Sequence, residues 1–421
     1  MPNQSDDSGA CDVIVVGAGA AGLATAIFGR RFNPHRRVLL LEGAKKPGAK
    51  ILVSGGSRCN VTNRTVDERD FWGGRGTIVR NVLRAFTATD AIDWFRDLGV
   101  ALHEEPGGKM FPDSNQSREV LDALLREAST RGVTLLASHR VVDLRRSDVG
   151  FTVDTAHGAF SAPAVVIATG GRSLPKTGSD GAAYEIVRRL GHTIVPTTAA
   201  LAPLVLDDRE SIHREVTGVS QDVRLDVWID GVIRTRLEGS LLWTHIGASG
   251  PVAMNASRHW LRAELEGQAV SITLSFCAGA TFEEIDARLL RLAQESPRMT
   301  AQSMLCRFVP ASVAAAMLGR LSIGSTAPVA HLARDERRRL THALVEWPLP
   351  VVATRGYNFA EATAGGVALD EIDPSTMESR LCAGLFLVGE VLDVDGRIGG
   401  FNFQWAWSSG FVAGRALARR D

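Results

Sequence analysis

Four consecutive apolar residues, Val13 to Val16, open the patterned part of the chain with no polar alternation. A run of that kind predicts a strand buried on both faces, as in a parallel sheet. An Ala/Leu-rich stretch follows and predicts a helix, and "RVLLLE" then reads as a second strand ending at Glu42. Further on, Ile92, Phe95 and Leu98 recur at helical spacing, Val165 to Thr169 reads as another strand, and 181–190 as a scaffold helix. From about Pro196 the texture changes. "LAPLVL", "VRLDVWID" and "SITLSF" are short and partly alternating, which predicts antiparallel strands, with "SLLWTHIGASGPVAMNASR" among them. Between Thr281 and Leu344 the period is helical again, and the charged run Arg334 to Arg339 reads as a solvated helix face. After "WPLPV" a buried strand returns at Leu385 to Val388, and a last helix follows Gly399-Gly400. The predicted fold is α/β: a doubly wound, Rossmann-like domain assembled from 1–195 and 361–421. It is interrupted by an antiparallel β-barrel-like domain at 196–280 and 345–360, which carries a small helical subdomain at 281–344.

Gly17, Gly19 and Gly22 stand between the first strand and the first helix in the pattern G-x-G-x-x-G, with Ala20 and Ala21 inside it. Gly17 permits the tight turn, Gly19 lets backbone approach a pyrophosphate, and Gly22 lets helix and strand pack closely. The helix start offers N–H groups and the positive end of its dipole to the phosphates. Glu42, at the end of the second strand, is placed to accept hydrogen bonds from an adenosine ribose and disfavours a phosphate there. The glycines alone would fit a turn in an unrelated protein. Strand, helix and spaced acid together predict a dinucleotide site.

A nicotinamide enzyme of this class would usually pass from the second strand into another helix. This chain instead spends Gly43 to Asn63 on a polar, Gly-studded stretch that reads as a loop. A long loop directly after the ribose acid suits a larger cofactor, FAD. Lys50, Ser54 and Arg58 are candidates to reach the pyrophosphate or the flavin, with Gly55 and Gly56 giving close backbone access and Gly43 counted among the cofactor-binding residues. Asn60 and its neighbours Thr62 and Asn63 suit turn-fixing. A merely structural surface loop is the alternative. Cys59 is a candidate thiol, weighed below a packing or loop-fixing role because reactive thiols need an accessible, electropositive setting.

"KPGAKILVSGGSRCNVTN" resembles the K-x-G-x-K-x-x-x-S-G-x-G-R-C-N-x-T-N signature of the BaiN-like bacterial flavoproteins. Ser57 stands where that signature has Gly. "SLLWTHIGASGP" is similar to the family's F-T-H-x-G-x-S-G-P, and the stretch after Tyr357 resembles its segment ending in T-x-G-G-V. "GLFLVGEVLDVDGRIGGFNFQWAWSSGFVAGRALA" resembles its second strong signature. The resemblance spans nearly the whole chain. It implies an NAD(P)/FAD-dependent oxidoreductase, in a group that includes an aminoacetone oxidase. It also implies that Ala168, Thr169 and Gly170 pass beside the cofactor, and that Gly389 and Glu390 meet the ribityl chain with Asp395 near them. Gly399, Gly400, Phe401 and Asn402 open the last helix, whose first unpaired N–H groups, around Phe401 to Phe403, would point at the flavin N1/C2=O edge; the alternative is that the glycines only allow the strand-to-helix turn. His245 would face substrate, against the plainer reading of a histidine that fixes a turn.

The 47 basic and 47 acidic residues cancel, which argues against a nucleic-acid surface. The five cysteines form no CxxC pair, and no metal site is expected. The N-terminal decapeptide lacks the basic start of a signal peptide, and the apolar stretch Val13 to Phe28 is too short to cross a bilayer, so a cytoplasmic protein is expected. No second G-x-G-x-x-G marks a separate nicotinamide domain. The function expected is FAD-dependent redox chemistry on a small organic substrate, with NAD(P)H feeding the reduction of an activated double bond. An amine-type oxidase that passes electrons to O2, and a flavin-binding protein without turnover, are the alternatives. His245 and Cys59 are the only catalytic candidates the residues offer, and oligomeric state is left open.

Overall fold

A computed structural model describes residues 11–147 and 150–420. The decapeptide on which the leader reading rests therefore lies outside the described residues. The chain divides into two compact units, Met1–Thr198 with Glu361–Asp421, and Ala199–Ala360.

The first unit is built on five parallel strands, β1 (Val13–Val16), β2 (Val38–Leu41), β3 (Thr134–Leu136), β4 (Ala164–Ile167) and β5 (Leu385–Leu387). Their order is β5-β4-β1-β2-β3, and β1 pairs in register with Ala164–Ile167 on one side and Val38–Leu41 on the other. Every residue of β1, β2, β4 and β5 is buried, so the unbroken apolar runs follow from cover on both faces. Helix α1 (Ala20–Phe32) returns the chain from β1 to β2, and α2 (Ala49–Ser57) follows β2. Helix α3 (Phe401–Arg419) lies against α1. That crossing is close because Gly410 and Gly414 face α1: a Cβ on Gly410 would stand 2.8 Å from the Ala24 Cβ, and one on Gly414 2.8 Å from the Gly29 nitrogen. Phe28 on α1 and Phe411 on α3 pack with Phe86 and Trp94, ring centres 4.8 to 5.3 Å from Phe28. Trp405 and Trp407 are fully buried core residues whose indoles donate to the Gly389 and Val61 carbonyls at 3.1 and 2.8 Å.

The stretch Gly43 to Asn63 is less loop-like than its residues suggest. It contains α2, whose N-cap Gly48 sits at φ +70, and a two-residue strand at Thr62–Asn63. Regular helix ends at Val53, because Ser54 is extended and Gly55 and Gly56 take positive φ. The apolar signal for α2 is one buried residue, Ile51, too little for a periodic pattern to reveal.

The second unit carries a seven-stranded antiparallel sheet in the order Trp347–Leu349, Val270–Ser275, Ser220–Ile229, Val232–Trp243, Gly247–Ser249, Leu204–Leu206, Val351–Thr354. Its core is separate and is filled by Trp243, Leu225, Val227, Leu274 and Met317, among others. The residues after Ser249 do not continue the strands. Gly250 turns the chain into a helix, Pro251–Leu265, with Pro in its first turn and Val252, Ala253, Ala256, Trp260 and Ala263 buried. Helices Phe282–Glu295, Ala301–Leu305, Ala311–Leu321 and Arg334–Val345 follow. In the Arg334 to Arg339 run, Arg337 bonds Asp286 at 2.8 Å and the Arg338 guanidinium lies over the Phe282 ring, so part of the run ties helices together.

Candidate functional site

The β1–α1 turn is fixed by its glycines. Gly17 has φ +104, and a Cβ there would meet the Ala168 carbonyl oxygen at 2.6 Å. A Cβ on Gly22 would stand 1.9 Å from the Gly17 carbonyl oxygen, so no other residue lets α1 pack on this turn. Nothing lies within 4 Å of a Cβ on Gly19, which is the N-cap of α1 and supplies no side-chain cap. The first turn of α1 thus presents its N–H groups and positive dipole end to open space. Ala168, Thr169 and Gly170 follow β4 directly beside it, with the Ala168 N–H on the Val16 carbonyl at 2.9 Å.

Glu42 leaves the end of β2 half-buried. Its two carboxylate oxygens accept the Ala18 and Ala44 N–H groups at 2.9 and 2.8 Å. The carboxylate is thereby aimed at the turn, and its oxygens retain lone pairs for ribose hydroxyls. Gly43 comes next and packs near Arg140.

A second cluster joins distant segments. The Lys50 ammonium on α2 bonds both the Ser173 hydroxyl and the Glu390 carboxylate. Ser173 donates to Glu390 at 2.6 Å and lies 3.4 Å from the Glu361 carbonyl oxygen. Thr363 Oγ1 accepts the Arg172 and Ser173 N–H groups at 2.8 and 3.1 Å, which fixes the chain after Gly171. Gly389, at φ +72, holds Glu390 close to α1: a Cβ on Gly389 would be 2.7 Å from the Ala21 Cβ. The residues alone did not single out Ser173, Glu361 or Thr363. The T-x-G-G-V stretch was the one available signal, and it marked the segment rather than a role.

Several loop candidates are committed elsewhere. The Arg58 guanidinium bonds Glu105 at 2.6 Å and lies over the Phe111 ring at 4.1 Å. Cys59 is fully buried at φ +62, and burial pushes its thiol up to about 12. Burial favours the neutral thiol, which supports the packing or loop-fixing role weighed above a reactive one. Ser54 donates to the Ile51 carbonyl at 2.7 Å. The buried Asn60 differs: its Oδ1 has no hydrogen-bond partner.

At the start of α3, Asn402 bonds the Gly396 N–H and carbonyl at 2.8 and 2.9 Å, so this side chain closes a turn. Gly400, at φ +92, lets the helix start against Thr62, whose carbonyl a Cβ would meet at 2.4 Å. Gly399 gives its carbonyl to Asn63 at 3.0 Å. Close approach to the Thr62–Asn63 strand is what these two glycines serve in the described contacts. Phe401 is buried, Asp395 is buried in the strand Val394–Gly396, and the first turn of α3 has no side-chain cap. In the second unit His245 is exposed on the turn after Trp243. The fully buried His213 lies 3.3 Å from Asp208, and burial lowers its pKa against that carboxylate.

A family profile described as the HI0933-like protein Rossmann domain matches residues 11–416. The chain is an HI0933-like Rossmann protein. It is 31% identical over 406 residues to the 3-dehydro-bile acid delta(4,6)-reductase of Clostridium scindens, covering 96% of this chain and 98% of that one. It is 34% identical over 415 residues to the ribosomal RNA dihydrouridine synthase of Escherichia coli, covering 96% and 98%. A quinol fumarate reductase chain of E. coli has the same fold, with a TM-score of 0.51 at 15% identity over 97% of this chain and 70% of that one. This HI0933-like chain is a flavin-dependent oxidoreductase.

The residues fit a flavin nucleotide. The uncapped start of α1 with open space at Gly19 suits a pyrophosphate, and Glu42 is aimed at the same turn. Lys50, Glu390 and the orphan Asn60 Oδ1 supply polar groups along the segments beyond it. Among the described residues no group of three or more His, Cys, Asp or Glu could hold a metal ion. No helix among them is long and apolar enough to cross a membrane.

Proposed function

We propose that this chain is an FAD-dependent reductase that adds two hydrogens across a carbon–carbon double bond conjugated to a carbonyl. The observation that carries the reading is chemistry shared by two full-length relatives with unlike substrates. One is named for reducing a delta(4,6) 3-dehydro-bile acid and the other for making dihydrouridine in ribosomal RNA. An oxo-steroid diene and a uracil ring both hold a C=C conjugated to C=O, and an electron-poor double bond of that kind accepts hydride at its β-carbon.

When bound, FAD supplies the hydride. The chain's own residues bind and orient it. The β1–α1 turn takes the pyrophosphate and Glu42 the adenosine ribose, which favours FAD over FMN. Lys50, held by Ser173 and Glu390, places a positive charge beyond the turn. NAD(P)H is the proposed electron donor and meets the flavin transiently, since the residues show a single dinucleotide fingerprint.

The substrate proposed first is a small molecule, supported by the cancelling charges of the chain. A uracil in ribosomal RNA is the second reading, favoured by the 34% identity to the dihydrouridine synthase. Anaerobic mixing of the purified holoprotein with NADH or NADPH should bleach the flavin. Adding a conjugated oxo-steroid, or ribosomal RNA lacking dihydrouridine, should restore its colour and yield the dihydro product by mass spectrometry. Peroxide formation from amines, with no bleaching by either nucleotide, would instead establish an oxidase.

A further inference from the structure

A cleft of about 280 Å³ opens on the first unit where the last turns of α3 meet the chain that leads into β5. Arg415, Arg419 and Arg420 line it from the end of α3, and Ser375, Thr376 and Glu378 from the chain before β5. Asn33, the C-cap of α1, donates to the Ala418 carbonyl at 3.1 Å. The cleft therefore sits at the end of α1 away from Gly19, about 20 Å along that 13-residue helix, and a ligand there is not the cofactor's pyrophosphate. Arg415 and Arg419 stand four positions apart and share one face of α3, where like charges repel. Arg420 is committed: it donates to Glu378 at 2.7 Å and lies over the Phe386 ring. Glu378 is the one carboxylate in the lining, and the same oxygen also accepts the Gly384 N–H at 2.6 Å. Arg415 lies over the Phe411 ring at 5.3 Å, but among the described residues no hydrogen bond or ion pair takes up the charge of Arg415 or Arg419. Asp373, which accepts the Ser375 hydroxyl at 2.7 Å, is outside the lining and has Arg380 acting on it. Three guanidiniums stand against one carboxylate and about half a negative charge from the helix end, which leaves the cleft roughly 1.5 charges positive.

We propose that this cleft is a binding site for a phosphate group. The chemistry of the lining selects that ligand. Each guanidinium offers a fork of N–H donors that pairs with two oxygens of one group. Thr376 Oγ1 accepts the Glu378 N–H at 3.1 Å and keeps its own proton to donate. Two forks and a hydroxyl bring more donors than the about four lone-pair sites of a carboxylate. A phosphate group carries about −1.5 to −2 charge at neutral pH and three strong acceptor oxygens, which matches both the donors and the excess charge. Bound there, it ties the end of α3 to the turn at Ser375 and Thr376 and removes the repulsion between Arg415 and Arg419. The phosphate can arrive on a free nucleotide or in an RNA backbone, and the inference holds under either reading of the substrate.

The test titrates FAD-loaded wild type, Arg415→Gln/Arg419→Gln, and a control, Arg291→Gln/Arg298→Gln, which removes the same charge from exposed positions in the second unit. Loading with FAD keeps phosphate out of the β1–α1 turn. Calorimetry with inorganic phosphate, at an ionic strength held constant with chloride, should show one saturable site per chain in wild type and control. Affinity should fall about tenfold or more in the cleft variant, the usual worth of a hydrogen bond to a charged group. A second variant, Arg415→Lys/Arg419→Lys, keeps the charge but loses the forks and should bind with intermediate strength. Phosphate should raise the Tm of wild type and control and leave that of the Gln variant in place. ADP and a short single-stranded RNA, titrated in the same way, identify the carrier: the one whose affinity falls in the cleft variant and not in the control presents the phosphate. A wild type that binds no phosphate, a Gln variant that binds it as wild type does, or an equal loss in the control overturns the inference.

Discussion

Glu42 serves the polypeptide before it serves any ligand. Its oxygens hold the Ala18 and Ala44 N–H groups, so removing it loosens the turn as well as deleting a ribose acceptor. Glu42→Ala should weaken FAD retention roughly 10- to 100-fold, since a charged hydrogen bond is worth about 1.5–3 kcal/mol. Equilibrium dialysis against free FAD measures this, and equal retention would mean that Glu42 does not hold the ribose. Cys59 gives the opposite expectation. With its thiol pushed up to about 12, the group carries its proton throughout the neutral range. Cys59→Ser should keep flavin and turnover, and mass mapping should show iodoacetamide reacting at the exposed Cys306 long before Cys59. Residue by residue, the sequence was informative where backbone geometry is local. Gly17, Gly22 and Glu42 lie within one strand–helix–strand unit, and each obeys a steric or hydrogen-bonding demand set by near neighbours. Ser173 meets Lys50 across 123 positions, and Arg58 is claimed by Glu105 across 47, pairings that no local pattern encodes.

At the level of elements, the long periodic or fully apolar segments were legible and the short or mixed ones were not. Strands β1, β2, β4 and β5 showed as apolar runs because both faces are covered, whereas the edge strand β3, with no buried residue, left no such run. The regular part of α2 is under two turns, and the helix Pro251–Leu265 was hidden in a stretch framed by strands, although Gly250-Pro251 marks its start. Contact between α1 and α3 supplies a direct test of packing. Gly410 has the Ala24 Cβ at 2.8 Å and the Ala21 carbonyl oxygen at 2.9 Å from where a Cβ would go. Gly410→Val should therefore force the helices apart and cost about 1–3 kcal/mol, the usual range for an overpacked core. Thermal unfolding of the holoprotein should show a Tm several degrees lower, together with faster flavin loss. An unchanged Tm would mean that the two helices yield at no cost.

For the whole molecule, the decisive feature is that one unit is continuous in sequence and the other is not. Residues 199–360 enclose their own apolar core, whereas the first unit's core draws Leu385, Phe386, Trp405 and Trp407 from beyond residue 360. A fragment of residues 199–360 should fold cooperatively by circular dichroism and denaturant titration, and a fragment of residues 1–198 should not. A cooperative transition in the 1–198 fragment would show that β5 and α3 are dispensable to the core. The same arrangement sets a clock on synthesis. The β1–α1 turn is among the first segments to emerge from the ribosome, but β5, Glu390 and α3 come more than 350 residues later. At about 5–20 residues per second, the unfinished half waits roughly 20–75 seconds for its missing strand and helix. During that interval its apolar sheet faces are open to chaperones and to wrong partners. Capture of the flavin must then be a late event, completed only as the final helix clears the exit tunnel.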